Sequence, residues 1–373
     1  MRSKLAEEMG LEFPVFAFTH CRDVAAAVSK AGGLGVLGVV GHSTKNLQME
    51  LEWIANEVDG KPFGVDLLLP TKFAGSDRGG FDETQLDERI PEEHRKFLDD
   101  LLAQYDVPPL PEDVKPGRGI RVGFEQQREV IETALEHPIA LFASALGSPP
   151  EWMVEQGRAR GVKVAALAGT VEHARRHAEA GVDLVIAQGY EAGGHTGQVS
   201  TMVLVPEVVD AVDPIPVLAA GGIGNGRQLT AALALGAQGV WTGSVWLTTE
   251  EAETHPVVKQ KFLKASSSDT IRSRSLTGKP ARQLRSAWTD AWEDPSNPDP
   301  LPMPLQNRLV SEAQARIQRA AHKNVGAEQL ANYFVGQIVG SLNHTKSVRT
   351  VMEEFAQEYA DTMERLDQWA EGS

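Results

Sequence analysis

Lys163–Gln188 reads KVAALAGTVEHARRHAEAGVDLVIAQ. Its ends, Lys163–Leu167 (KVAAL) and Leu184–Gln188 (LVIAQ), are short, continuous apolar runs, as expected of parallel strands covered on both faces. Between them, Val171–Ala180 has the apolar and charged periodicity of a helix, and Gly181 stops it. Strand, helix and strand this close together form a right-handed crossover unit with its two strands parallel. Six further runs of the same kind flank the unit. They are Phe13–Phe18 (FPVFAF), Gly35–Gly38 (GVLG), Phe63–Leu69 (FGVDLLL), Ile139–Ala143 (IALFA), Val217–Ala220 (VLAA) and Gly239–Thr242 (GVWT). Val24–Ala31 and Arg227–Leu235 read as helices that end at Gly32 and Gly236. Eight candidate strands favour closure into an α/β TIM (β/α)₈ barrel over an open doubly wound sheet.

Two regions exceed a minimal barrel. Within the expected barrel domain, residues 1–254, the segment 71–119 is long, charged and rich in proline, with Glu92–Tyr105 helical. It reads either as a surface insertion or as a lid over the active-site mouth. Residues 255–373 read as an added helical domain, with helices at Val257–Ala265, Leu305–His322 and Ser347–Ala370 and a Pro-rich joint at Asp294–Pro304. We expect this domain to pack as a cap on the C-terminal face of the barrel.

Composition narrows the class. Apolar residues at 42% and charged residues at 23% suit a soluble globular chain. No apolar run is long enough for a membrane span. The N-terminal MRSKLAEEMGLEF lacks the apolar centre of a secretory signal. Cys21 is the single cysteine, which excludes a disulfide framework and a cysteine cluster for metal. Together these features point to the cytoplasm. A net charge of −15 argues against a nucleic-acid binder.

The chemistry gathers where strands end. Ala187–Gly197 (AQGYEAGGHTG) follows the sixth strand, so it belongs to a loop on the face that carries TIM-barrel active sites. Gly193 and Gly194 let backbone approach a flat ligand, and His195 projects from the turn they make, able to move a proton near neutral pH. Leu218–Gly226 (LAAGGIGNG) follows the seventh strand and Trp241–Ser244 (WTGS) the eighth. Loops at these positions build phosphate sites in this fold. Gly221, Gly222 and Gly243 permit close approach, and the Ser244 hydroxyl adds a donor. One such site suits a monophosphate, and FMN fits better than NAD or FAD.

Other residues complete the expected pocket. Asp66, a carboxylate inside an apolar run, requires a partner. That partner is either the flavin's imide or ribityl groups, or a nearby loop. The Gln188 amide suits the flavin edge or ribityl chain. Ala17, Phe18 and Thr19 are expected to contact the flavin through backbone atoms, and His20 and Cys21 to line the pocket. His173 and His177, four apart on one helix, resemble a metal pair but lack an evident third ligand, so no metal is expected. The basic stretch Arg272–Arg285 (RSRSLTGKPARQLR) reads either as a phosphate site for coenzyme A or a dinucleotide, or as a solvated loop and helix start.

Taken together, QGYEAGGHTG, AAGGI and the Gly243–Ser244 pair resemble the nitronate monooxygenase family, formerly called 2-nitropropane dioxygenase, which includes the FMN-dependent enoyl-acyl-carrier-protein reductases. FPVFAF, PFGVDLLLP (Pro62–Pro70) and NYFVGQIVGSL (Asn332–Leu342) are similar to it as well. The resemblance implies one non-covalent FMN held by Gln188, Gly193, Gly222 and Trp241–Ser244, with His195 as the catalytic histidine. Asp66 stands where many members have asparagine, and FAFTH (Phe16–His20) replaces a stretch containing Pro-Met. Thr196–Val209 looks more like the enoyl reductase branch, and Ser275–Trp292 is similar to longer members of the family. Two activities follow as expectations. One is oxidation of alkyl nitronates or nitroalkanes with O₂. The other is NAD(P)H-linked reduction of an enoyl or acyl thioester or a quinone. A homodimer is compatible with either.

Overall fold

A computed structural model of the chain describes residues 3–78, 80–114 and 124–371. Its strands are β1 (Val15–Thr19), β2 (Leu34–Gly38), β3 (Phe63–Leu68), β4 (Leu141–Ala145), β5 (Lys163–Ala168), β6 (Leu184–Gln188), β7 (Gly194–His195), β8 (Val217–Ala220), β9 (Gly239–Thr242), β10 (Thr270–Ser273) and β11 (Ala281–Leu284). β1 to β6, β8 and β9 form a closed parallel barrel in that order. Closure comes from β9 against β1, with Val15 opposite Val240 and Ala17 opposite Thr242. All eight expected runs are barrel strands. The first and fourth begin later than expected, at Val15 rather than Phe13 and at Leu141 rather than Ile139.

Alternation along each strand divides two cores. Phe16, Val36, Ala143, Ala165, Ile186, Leu218 and Trp241 fill the barrel, and the short N-terminal helix Lys4–Glu8 plugs its floor with Leu5 and Ala6. Ala17, Leu37, Phe142, Val164, Val185, Ala219 and Val240 point the other way, into the ring of helices. Both faces are dry, which is why these strands lack the polar alternation of a half-exposed sheet. Among the described residues, no helix is long and apolar enough to cross a membrane.

A third core stands beside the mouth. It joins Leu86, Leu98, Leu101 and Leu102 of the 71–119 segment to Trp288, Trp292, Leu309 and Ile317 of the C-terminal region. Polar ties reinforce the union. Arg308 grips Asp87 with two hydrogen bonds of 2.8 and 2.7 Å, and Arg316 donates to the carbonyls of Val107 and Pro108. The described part of that segment is therefore built into a core and is not a free-standing loop. Residues 79 and 115–119 of the expected insertion lie outside the described residues.

The C-terminal region departs from the all-helical expectation in two ways. β10 and β11 form a hairpin, and β7 adds to it as the third antiparallel strand, with Ala281 opposite His195 and Arg282 opposite Gly194. The last helix, Val348–Glu371, packs on the outside of the barrel and not on its mouth. Its Val351, Met352 and Phe355 join the outer core. Gly226 allows that contact, since a Cβ there would lie 2.3 Å from the Phe355 carbonyl oxygen.

Candidate active site

Loops at the C-terminal strand ends enclose a cavity of about 810 Å³. It brings together Phe18, Thr19, Asp66, Gln188, Gly193, Gly194 and His195 with Gly221, Gly222, Trp241, Thr242, Gly243 and Ser244. Among the expected lining residues it leaves out Cys21, which packs in the helix-facing core, and the side chain of Ala17. Strand parity turns the Ala17 side chain into the same core, where it is fully buried. His20 does line the cavity, with Nδ1 held 3.0 Å from the Gly38 carbonyl.

The glycine loops are shaped for close approach. Gly221 and Gly222 have φ of +104° and +69°, and a Cβ on Gly221 would sit 2.9 Å from Thr201 Oγ1. A Cβ on Gly193 would lie 2.8 Å from the Gly336 nitrogen. Ser244 Oγ accepts the Gly336 N–H at 2.8 Å, which leaves the hydroxyl proton free to be donated into the cavity. Thr242 has no such freedom. Its hydroxyl donates to the Phe16 carbonyl and accepts from Trp246 Nε1, at 3.2 and 3.0 Å.

Asp66 is the orphan of the site. It is 3% exposed, and its Oδ2 has no hydrogen-bond partner among the described residues. Burial alone raises its pKa from 3.8 to about 7. The loop partner that sequence left open for it is not found at this oxygen, so a cavity ligand with a donor is what it lacks. The Gln188 amide also faces the cavity, with no side-chain hydrogen bond to the described residues.

His195 is better defined. Its Nε2 lies 2.9 Å from Thr277 Oγ1. The Thr277 hydroxyl donates to the Lys279 carbonyl at 3.1 Å and accepts the Lys279 N–H at 3.2 Å. With its one proton spent on that carbonyl, the hydroxyl accepts from Nε2–H. The neutral imidazole is thereby set as the Nε2–H tautomer, and the Nδ1 lone pair is free. Burial first, and the charge of Lys279 second, push the pKa of His195 down to about 4. The Phe334 ring, 6.2 Å away between centroids, closes one side.

Sequence reasoning missed Thr277, Phe334 and the two arginines that fix the loop. Arg282 is 2% exposed. Its Nε and Nη2 donate to the Tyr190 carbonyl at 3.1 and 3.0 Å, and its Nη1 donates to Thr270 Oγ1 at 3.0 Å. Its guanidinium also lies 4.4 Å over the Tyr190 ring. Arg272 Nη2 donates to the Thr196 carbonyl at 3.0 Å. The loop bearing His195 is therefore clamped on both sides, at Tyr190 and Thr196. These contacts spend Arg272 and Arg282 on the loop, so neither guanidinium is left for a phosphate. Arg285, at the end of the stretch, is exposed beside the start of the helix Ala287–Glu293, as the reading of a solvated helix start expects.

The His173–His177 pair makes no metal site among the described residues. His177 Nδ1 meets Ser148 Oγ at 2.8 Å, and its Nε2 meets the Leu167 carbonyl at 3.0 Å, so both ring nitrogens are occupied. Cys21 Sγ donates to the Glu251 carbonyl, and burial raises the thiol's pKa, which leaves it protonated and inert.

A family model described as nitronate monooxygenase matches residues 3–358. The chain belongs to the nitronate monooxygenase family. It is 59% identical over 369 residues to the Mycobacterium tuberculosis protein named "Putative monooxygenase Rv1533", covering 98% of each chain. It is 30% identical over 337 residues to a Staphylococcus haemolyticus protein named "Probable nitronate monooxygenase", covering 86% of this chain and 88% of that one. Among solved structures it is similar to nitroalkane oxidase from Streptomyces ansochromogenes. That match has 26% identity and a TM-score of 0.80, over 97% of this chain and 99% of the other. FabK from Thermotoga maritima is similar at 28% identity and a TM-score of 0.72, over 99% of each chain. As a member of this family the chain is an enzyme, an oxidoreductase acting on a small molecule.

Proposed function

We propose that the protein is an FMN-dependent oxidoreductase that oxidises alkyl nitronates or nitroalkanes with O₂. The observation that carries this reading is His195, a neutral imidazole with one nitrogen anchored and the other open to the cavity. The cavity's donor set fits FMN. The backbone at Gly221, Gly222 and Gly243 and the Ser244 hydroxyl suit its phosphate. The orphan Asp66 Oδ2 suits an imide N–H, and Gln188 has a free amide for the flavin edge or ribityl chain. When bound, FMN supplies the redox chemistry, taking electrons from the substrate and giving them to O₂.

The chain's own residues handle position and protons. Thr277 keeps Nε2–H occupied, so Nδ1 is the atom that accepts the proton from the carbon beside a nitro group. A pKa of about 4 makes this imidazole a weak base. Formation of a nitronate anion beside it favours the imidazolium and raises that value in the complex. A substrate supplied as nitronate bypasses the step. Phe334 and Trp241 present apolar walls that exclude water.

The test is oxygen uptake by the flavin-loaded protein with a nitroalkane and with its preformed nitronate, without NAD(P)H. His195→Ala should lose about 10²-fold or more on the nitroalkane, the usual worth of a positioned base, and less on the nitronate. Equal loss on both, or none, rejects the proton-transfer role. If NADH or NADPH bleaches the flavin anaerobically while nitronate does not, the activity is that of a reductase.

A further inference from the structure

Three cations and a histidine meet on one wall of the cavity. Lys72 follows β3, His173 and Arg176 lie on the helix Val171–Glu179 after β5, and Lys279 occupies the turn between β10 and β11. In the closed strand order, β3 to β5 stand across the barrel from β8 and β9. The cluster therefore faces the glycine loops from the far side of the mouth.

These groups feel one another. His173 is held below its ordinary value by burial, then by Arg176 and by Lys72. Lys279 is lowered by burial and by Lys72, and it in turn acts on His195. Among the described residues, none of the four forms an ion pair. The neighbouring carboxylate, Glu172, is exposed and bonds to its own helix start and to Thr170. The chain carries a net charge of −15, so acidic groups are plentiful; among the described residues Glu172 acts on His173 through its charge, and no acid forms an ion pair with this wall. Bringing unpaired like charges together from three segments opposes folding. On a concave wall it also focuses a field that draws anions in.

We infer that this wall binds an anionic group, a carboxylate or a phosphate, at the far end of the substrate whose reacting carbon lies at His195. Lys72 and Arg176 meet the anion from the rim, and Lys279 meets it from the side nearest His195. His173 serves as a neutral donor that an arriving anion converts towards imidazolium. The inference rests on the proposed placement of substrate at His195, but its test does not require turnover.

Calorimetric titration under nitrogen, on the protein as purified, compares two pairs of probes. 3-Nitropropionate against 1-nitropropane isolates a carboxylate, and coenzyme A against pantetheine isolates phosphates. We expect the charged member of at least one pair to bind about tenfold tighter, from one to two charge-assisted hydrogen bonds. Raising salt should narrow that gap. In the double variant Lys72→Gln/Arg176→Gln the preference should fall to about twofold or less. A preference confined to the carboxylate pair identifies a small acid, and one confined to the phosphate pair identifies a larger phosphorylated substrate. No preference in either pair, or a preference unchanged in the double variant, overturns the inference. Failure of nitroalkane and nitronate oxidation with the preference intact would reject the proposed reaction and keep the anion site.

Discussion

Replacing Asp66 with asparagine should stabilise the FMN-free protein at alkaline pH and not at acid pH. Asp66 is buried, Oδ2 is unpartnered, and desolvation raises its pKa from 3.8 to about 7. The unfolded chain therefore loses this proton at lower pH than the folded chain does. The folded protein gains from the neutral carboxyl below the unfolded value, and that gain is lost as pH rises through the folded one. A shift of three units, at about 1.4 kcal/mol each, makes the charged form cost about 4 kcal/mol above pH 7. Asparagine is nearly isosteric and never ionises, so its own desolvation cost is the same at every pH. The assay is urea unfolding of apo wild type and Asp66→Asn across about pH 4 to pH 8, read as the difference between them. The difference should swing towards the variant with rising pH, by an amount of order 4 kcal/mol. A flat difference would refute the reasoning and show that the carboxylate has an internal partner. Adding FMN should shrink the swing in wild type, because an imide donor on Oδ2 stabilises the carboxylate.

Two further substitutions probe the scaffold of His195. Thr277→Val leaves Nε2–H and the Lys279 N–H without their acceptor; it should cost about 1–3 kcal/mol in stability and lower kcat for nitroalkane more than for preformed nitronate, with Thr277→Ser restoring both. Equal loss on the two substrates would show that the hydroxyl serves structure alone. Arg282→Lys should fail to replace arginine, because a single ammonium cannot span the Tyr190 carbonyl and Thr270 as a guanidinium does. We expect turnover to fall by about tenfold or more with near-normal FMN affinity, and full activity in the lysine variant would show that the clamp is dispensable.

The barrel was legible because its information is local. Parallel strands covered on both faces leave unbroken apolar runs, and a glycine marks the end of several helices between them. The boundary errors have simple causes. Ile139 and Ala140 are apolar but precede the pairing of β4, whereas Ser144, which is inside it, satisfies its hydroxyl on the Gly147 carbonyl. The place of Gly221, Gly222 and Gly243 on the cavity lining was equally legible, since they directly follow strand ends. The Ala17 side chain faces the helix layer, since a one-residue step along a strand exchanges the cavity for that layer, so its expected contact rests on backbone alone.

What sequence could not show is held together by contacts across long stretches of chain. β7 is two residues long and is a strand only because β11 pairs with it. Nothing near Gly194–His195 signals that partner. Thr277 likewise reads as a turn residue until it meets His195. The charged residues show the same limit most clearly. A basic stretch reads as solvated or ligand-binding because isolated guanidiniums are costly to bury. Arg282 escapes that cost by donating to the Tyr190 carbonyl and the Thr270 hydroxyl, so one of the most basic-looking positions becomes part of the core. Lys279, three residues earlier in the same run, does face the cavity, and it meets Lys72 and Arg176 only after the barrel closes. A net charge of −15 conceals this local excess of cations. The sign of the whole chain therefore says little about the sign of its site, since the field in a cleft depends on which side chains the fold leaves unpaired there.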